Sequence, residues 1–198
     1  NWKKYFKPFH FTEKVVIKPS WESYTPKPQD IVIELDPGMA FGTGTHETTR
    51  MCALLGEKYL ERGDRVLDLG CGTAILALSA VKLGARSALA VDIDDAAVKT
   101  AVQNVKNNGE SDKIEVRRGE LKNISKNPYD LIFINIIADI ILALSGEIKD
   151  YVGPNTRLLL SGIIKSRENE VLKTYTDLGF TFLEKLTQGE WVAMAFHA

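Results

Sequence analysis

Arg65-Val66-Leu67-Asp68-Leu69-Gly70-Cys71-Gly72-Thr73-Ala74 is the stretch on which the reading of this chain turns. A short, mostly apolar run leads straight into two glycines, and a helical pattern, Ala74 to Leu83, follows at once. A strand that enters a helix through a turn lacking Cβ atoms lets a ligand approach the backbone at the helix N-terminus. Before this stretch, the spacing predicts a helix from His46 to Leu60, stopped by Gly63-Asp64. After it, the pattern predicts strand Ser87 to Asp92, helix Ala96 to Asn107, and strands Ile114 to Arg117 and Leu131 to Asn135. Helix Ile137 to Tyr151, strand Thr156 to Ser161 and helix Ser166 to Leu178 follow. Such alternation predicts an α/β fold with a doubly wound, mostly parallel sheet covered by helices on both faces, because each parallel connection needs a crossover. The unbroken apolar runs Leu131-Ile132-Phe133-Ile134 and Leu158-Leu159-Leu160 suit strands buried on both sides. The end differs: Phe180 to Leu186, Thr187-Gln188-Gly189 and Glu190 to Phe196 read as an antiparallel hairpin, which brings the sheet to seven strands.

Residues 1–45 have another texture. Pro8, Pro19, Pro26, Pro28 and Pro37 are five of the seven prolines, so only short extended pieces, Glu13 to Lys18 and Ile31 to Leu35, are predicted there. The chain is therefore expected to divide into an N-terminal extension, 1–45, and a main domain, 46–198. With 198 residues, 44% of them apolar, there is material for one core and an appendage but not for two full enzyme domains. Lys+Arg 25 against Asp+Glu 26 leaves no basic field to hold nucleic acid or an anionic membrane. No apolar run reaches the roughly 18 residues of a membrane span. Cys52, Cys71, His10, His46 and His197 lack zinc-site spacing and are too few for a disulfide framework. The expectation is no metal and a reducing, cytoplasmic compartment. Asn1-Trp2-Lys3-Lys4-Tyr5 is neither a signal peptide nor a translation start, which suggests a segment removed upstream.

Ligands of open parallel sheets bind beyond the carboxyl ends of the strands, so candidate residues are those just after each apolar run. Gly70 and Gly72 are such residues. Asp92, 22 positions beyond Gly70, would accept hydrogen bonds from a ribose diol, and a charge-assisted bond of that kind contributes about 1.5 to 3 kcal/mol. A pyrophosphate dinucleotide wants a third glycine where this chain has Ile75. S-adenosyl-L-methionine, which has no pyrophosphate, fits better. Cys71 has no base near it in sequence and is expected to line the pocket, not to act as a nucleophile.

Upstream lies Leu35-Asp36-Pro37-Gly38-Met39-Ala40-Phe41-Gly42-Thr43-Gly44-Thr45-His46-Glu47-Thr48-Thr49-Arg50. Glycines and Pro37 impose an irregular loop, Phe41 sits among the glycines, and Thr45 or a neighbour can cap the helix that follows. A lid over a bound cofactor accounts for both the glycines and the aromatic residue. With these motifs in view, the chain resembles the ribosomal protein L11 methyltransferase family, called PrmA in bacteria. The likeness is carried by Pro19-Ser20-Trp21, the loop from Asp36 to Thr49, Asp68 to Gly72, Asp92-Ile93-Asp94, Asn135-Ile136, Ser161-Gly162-Ile163 and Glu190-Trp191.

The resemblance implies the class I S-adenosylmethionine-dependent methyltransferase fold, and methylation of lysine and N-terminal amines of ribosomal protein L11. It aligns Thr49, Gly70, Asp92 and Asn135 with the family's cofactor contacts and places Phe41 and Thr43 in the loop over the cofactor. Three departures stand out: Thr73-Ala74 where Ser-Gly is usual, Asp95 where Pro is usual, and Ile134-Asn135-Ile136-Ile137 where Ala-Asn-Ile-Leu is usual. Asp95 can itself cap a helix. The family also has an N-terminal domain that grips the substrate protein, and this chain is expected to begin near the end of the linker from it. Two alternatives remain open: methylation of another protein or a small-molecule amine, and a cofactor-binding module without turnover.

Asn135 ends its strand beside the cofactor residues. Its amide oxygen could accept a hydrogen bond from an amine and aim the nitrogen lone pair at a sulfonium methyl. The amine must be neutral, which at pH 7 costs a lysine roughly 4.6 kcal/mol and an α-amine about 1. Positioning and desolvation beside a sulfonium can lower that cost without a dedicated base. His46 is a candidate base, set against a loop-packing role in the first helical turn, and His10 and His197 are expected at the surface. Asn127-Pro128-Tyr129 looks like a catalytic Asn-Pro motif of amino methyltransferases, but it leads into its strand and is read as a turn.

Overall fold

The computed structural model describes residues 2–36 and 43–198, and only the backbone of residues 2 and 43–46. The Pro-rich start forms a small sheet. β1 (Phe9–His10) runs antiparallel to β2 (Val15–Lys18), and β3 (Ile31–Glu34) lies parallel to β2 on its other side. Both predicted extended pieces are present in shortened form, and β1 is an addition. The sheet holds because Phe11, Val15, Ile17, Ile33 and Leu35 are buried in the main core. Polar groups moor it as well: the Thr12 hydroxyl donates to Glu57, Arg50 Nε donates to Phe11 O at 3.1 Å, and the Asn108 amide brackets the backbone N–H and C=O of Glu34.

The remaining elements are α1 (Thr43–Tyr59), β4 (Arg65–Leu69), α2 (Ile75–Lys82), β5 (Ser87–Asp92), α3 (Asp95–Asn107) and β6 (Ile114–Arg118). Then come β7 (Tyr129–Asn135), α4 (Ala138–Ala143), β8 (Val152–Ile164), α5 (Glu168–Asp177), β9 (Thr181–Gln188) and β10 (Trp191–His197). The main sheet has the order β6-β5-β4-β7-β8-β10-β9. β6, β5, β4, β7 and β8 are parallel, and β10 is antiparallel to both its neighbours. The doubly wound, mostly parallel seven-stranded sheet with a terminal hairpin is thus as expected. From β4 the chain winds outward through β5 and β6, then crosses back to β7. The carboxyl ends of β4 and β7 therefore flank the switch point where such sheets open a crevice.

Strand alternation sends side chains to two cores. Val66, Leu131 and Phe133 pack with Met51, Leu55, Leu78 and Ala101 on one face. Leu67, Ile132 and Ile134 pack with Ile141, Val171 and Tyr175 on the other. Arg157 pairs with Asp64 in a buried ion pair and donates from Nε to Tyr59 O at 3.1 Å, which ties the end of α1 to β8.

Several boundaries depart from expectation for local reasons. The expected helix Ile137 to Tyr151 is helical only to Ala143, and two tight 3-10 turns follow, at 144–146 and 148–151. Ser145 Oγ donates to Leu142 O at 2.7 Å and Gly146 follows it, both unfavourable to continued helix. Ile148 and Tyr151, three residues apart, both point inward, a spacing that suits a 3-10 turn. β8 starts before the expected Thr156, and residues 153–156 stand opposite Asp130 alone of β7, held by Thr156 Oγ1 between Gly153 N and Tyr129 O. Asp94, not Asp95, caps α3, accepting from Ala96 N at 3.3 Å. α1 begins at Thr43, three residues before the expected His46, and the side chain of Thr45 lies outside the described residues. The hairpin turn is two residues, Gly189-Glu190, with Gly189 at φ +58°.

Candidate active site

β4 ends in the glycine turn. Gly70 adopts φ +74°, and a Cβ there would lie 2.7 Å from Ile136 Cγ2, so only glycine fits between β4 and the segment after β7. Gly70 N and Cys71 N both donate to Val91 O, at 2.8 and 3.0 Å, which fastens the turn to the end of β5. Gly72 N donates to Asp92 Oδ2 at 3.0 Å, and Asp94 N donates to Oδ1 at 3.0 Å. Asp92 therefore holds the turn before it holds any ligand. Each carboxylate oxygen still has a second acceptor position. Ala74, at the start of α2, has φ +68° and is the only non-glycine residue with positive φ among those described. It stands where the family resemblance leads one to expect glycine, and the left-handed conformation costs it about 1 to 2 kcal/mol.

Beside the turn, at the carboxyl end of the sheet, lies a cleft of about 380 Å³. Its walls are Ile93, Leu121, Ile136 and Ile140, and Asp92 and Glu120 supply carboxylates at its edge. Flat apolar walls with a few acceptors suit a nucleoside: the base packs between aliphatic side chains and hydroxyls donate to the carboxylates. Of these residues, only Asp92 is a ligand contact in the sequence reading, while Ile93 and Ile136 enter it merely as members of the motifs that carry the likeness. Glu120 had a usable signal, since it follows closely on β6. Ile140 and Leu121 had none, and Ile93 and Ile136 had only their place in the motifs, because an apolar residue after a strand looks like core until the fold places it.

At the end of β7, Asn135 Nδ2 donates to Thr49 Oγ1 at 3.0 Å. That bond turns the amide oxygen away from α1 and leaves it free to accept. Ser161 Oγ donates to Thr48 O at 2.7 Å, and Ile136 N donates to Ser161 O at 3.1 Å. Gly162 follows at φ +88°, where two residues of β8 oppose one of β10 in a bulge. A Cβ on Gly162 would lie 2.5 Å from Ile136 O. Thr49, Gly70, Gly72, Asp92 and Asn135 are thus brought to one end of the sheet. Phe41 and the lid lie outside the described residues, as do the side chains of Thr43 and His46. His10 is exposed as expected, whereas His197 is half-buried at the end of β10.

The floor of the site is acidic. Asp68 is fully buried, and loss of water raises its pKa to about 7 despite the hydrogen bond from Ala77 N at 3.1 Å. Burial first, then Asp68 and Asp92, push the Cys71 thiol up, so it stays protonated and is a poor nucleophile. Among the described residues, no group of three or more His, Cys, Asp or Glu could hold a metal ion, and no helix is long and apolar enough to cross a membrane. A larger hollow of about 640 Å³ opens at the amino ends of the strands, around Arg65, Lys113, Arg117, Asn127 and Tyr129. It lies at the opposite end of the sheet from the glycine turn, and it contains the Asn-Pro-Tyr decoy.

This arrangement is that of the Rossmann-like methyltransferases, and a methyltransferase from Pyrococcus furiosus has the same fold at 21% identity, with a TM-score of 0.69 over 83% of this chain and 88% of that one. The chain belongs to the family described as Ribosomal protein L11 methyltransferase (PrmA), whose model matches residues 1–198. It is 48% identical over 197 residues to the Ribosomal protein L11 methyltransferase of Ruminiclostridium cellulolyticum, covering 98% of this chain and 62% of that protein. The corresponding protein of Acetivibrio thermocellus is also 48% identical, over 194 residues, with coverage of 98% and 62%. The chain therefore spans about six-tenths of the length of these curated relatives. A solved ribosomal protein L11 methylase from Lactobacillus delbrueckii subsp. bulgaricus superposes with a TM-score of 0.87 at 32% identity, over 96% of this chain and 98% of that one.

Proposed function

We propose that this chain binds S-adenosyl-L-methionine and carries out methyl transfer to lysine and N-terminal amines of ribosomal protein L11, in the bacterial cytoplasm. The observation that carries the reading is the Thr49–Asn135 hydrogen bond, which leaves the Asn135 amide oxygen free at the end of β7, next to the cleft. The residues present fit the cofactor. A nucleoside suits the cleft, Asp92 has acceptor capacity to spare for a ribose diol, and no atom of the described residues lies within 4 Å of where a Gly72 Cβ would be. The bound cofactor supplies a methyl group on a positive sulfur, ready for in-line displacement.

The chain's own contribution is to bind and to orient. Asn135 Oδ1 accepts one N–H of the incoming amine and so turns the nitrogen lone pair toward the methyl. Thr49 keeps the amide from rotating, and Ser161 holds α1 against β8 so that Thr49 stays within reach. Gly70, Phe41 and Thr43 complete the set of residues toward the cofactor in this reading. Residues 1–45 act as the extension that covers it, and residues 46–198 as the catalytic domain. A neutral amine is favoured where water is excluded near a positive charge, so positioning and desolvation serve in place of a general base.

The test is the intact mass of ribosomal protein L11 after incubation with this protein and S-adenosyl-L-methionine. The expected result is a series of methyl additions, strongly reduced in Asn135→Ala while cofactor affinity by calorimetry falls much less. Undiminished methylation by Asn135→Ala removes the positioning role. No methylation by the unaltered protein, with cofactor bound, turns the reading toward another amine substrate or a binding module.

A further inference from the structure

The buried carboxyl of Asp68 takes no part in positioning the amine. Its Oδ2 accepts one bond, from Ala77 N at 3.1 Å, and its Oδ1 has no hydrogen-bond partner among the described residues and no access to solvent. A buried carboxylate is ordinarily held by several N–H donors or a cation, and the surroundings of Asp68 supply neither. From β5 it faces Asp92, which repels a negative charge. From α1 it faces Cys52, and from the glycine turn Cys71, both thiols held neutral by burial. From α2 it meets the Ala77 N–H alone, and its register partner on β7 is Phe133.

Sheet geometry places this carboxyl under the reacting end of the site. Asp68 pairs with Phe133, so Asn135, two residues further along β7, points to the same face one layer above. α1 spans both layers: Thr49 bonds Asn135, and Cys52, three residues on and hence on the same side of the helix, is close enough to feel the charge of Asp68. Two carboxyls, Asp68 and Asp92, act on the Cys71 thiol of the glycine turn. Such a floor attracts a cation and does little for a neutral ligand.

We propose that Asp68 is the internal counter-charge of the site: it carries its proton in the ligand-free protein, gives that proton to solvent when a sulfonium ligand binds, and so makes the site favour the sulfonium over the corresponding neutral thioether. The inference rests on the S-adenosyl-L-methionine reading. The exchange balances: the O–H bond of the carboxyl breaks, the proton passes to buffer, and the charge left on the carboxylate faces the charge of the ligand. Substrate and product cofactor differ by that one positive charge, so the preference helps to expel the spent form after transfer.

With a pKa of about 7, most of the proton remains to be released at about pH 6 and little at about pH 8. The experiment is calorimetry of S-adenosyl-L-methionine and S-adenosylhomocysteine binding to the protein in buffers of different ionisation enthalpy. The sulfonium ligand is expected to release a sizeable fraction of a proton at about pH 6 and much less at about pH 8, and the thioether to release less at either. In Asp68→Asn the difference in proton release disappears, and the affinity ratio between the two ligands narrows by roughly fiftyfold, the size expected for one charge acting across a residue layer of about 7 Å at an effective dielectric near 20. Equal proton release by both ligands on the unaltered protein overturns the proposal whether or not the variant folds. So does an unchanged affinity ratio in a folded variant. Binding of neither ligand would instead overturn the cofactor reading on which the proposal stands.

Discussion

Asp68 exchanges the hydration of both carboxylate oxygens for a single N–H from Ala77. Its pKa rises from 3.8 to about 7 on folding, so the folded state holds the proton more tightly than the unfolded chain does. The sign follows directly. Its contribution is fully present below about pH 4, is lost progressively as pH rises toward 7, and stays lost above that. Asp68→Asn removes the titration while keeping an oxygen for Ala77 N. Ligand-free Asp68→Asn is expected to be more stable than the parent at about pH 8, by a few kcal/mol at most, with the gap closing toward about pH 4. Chemical denaturation across that range checks it, and a gap independent of pH would remove the assignment of a raised pKa. Asp92 and Asn135 were legible in the sequence because a polar residue just after an apolar run is placed by topology alone. The isolation of Asp68 was not, since an acid inside a strand reads the same whether or not its oxygens find donors.

At the scale of the element, β8 is the strand that shapes the reactive end. Its bulge puts Gly162 against the Ile136 backbone, while from the β4 side Gly70 lies against the Ile136 side chain. The residue next to Asn135 is thus flanked by two glycines, one at its backbone and one at its side chain. Gly162→Ala would place a methyl 2.5 Å from Ile136 O and force a non-glycine residue to φ +88°. The expected cost is about 2 to 3 kcal/mol of stability. Turnover should fall more than cofactor affinity, because Asp92 and Glu120 are held by other strands. Thermal melts with paired kcat and Kd measurements test this; a variant with parental turnover would show that the Asn135 end is not held this way. Alternation and apolar runs made every strand of the main sheet legible. The break in the helix after Asn135 was less so: Ser145 and Gly146 weaken a helix only modestly, and burial of Ile148 and Tyr151 decides the outcome. β1 was not legible, because two exposed residues have no pattern, and only the pairing of Phe9 with Ile17 and His10 with Val16 defines the strand.

For the whole molecule, the small N-terminal sheet and the main sheet share one core. Phe11, Val15, Ile17, Ile33 and Leu35 belong to the same apolar cluster as Leu55, Leu78 and Phe133. The amides of Val16 and Ile17 are therefore expected to exchange with solvent only on global unfolding, with the same opening free energy as those of Leu67 and Phe133. Native-state hydrogen exchange measures this, and earlier exchange of Val16 and Ile17 would mark the small sheet as a separate cooperative unit. Charge composition and proline density could not reveal this sharing. It depends on which side of α1 the chain returns to, and that is settled by long-range packing.

The sheet order also bears on the route to the folded state. β10 is the later of the two hairpin strands in sequence, yet it sits between β8 and β9. β9 consequently has no neighbour to join until β10 has formed, and the sheet cannot be completed by adding strands outward in the order of synthesis. The economical path is for the hairpin to close first across Gly189, a local event of about 1 to 10 μs, and then to dock as a pair through the buried face of β10. Until that docking, the edge of β8, with Leu158, Leu159 and Leu160 beside it, is open to any extended chain nearby, so the last step of folding is also the one most exposed to mispairing.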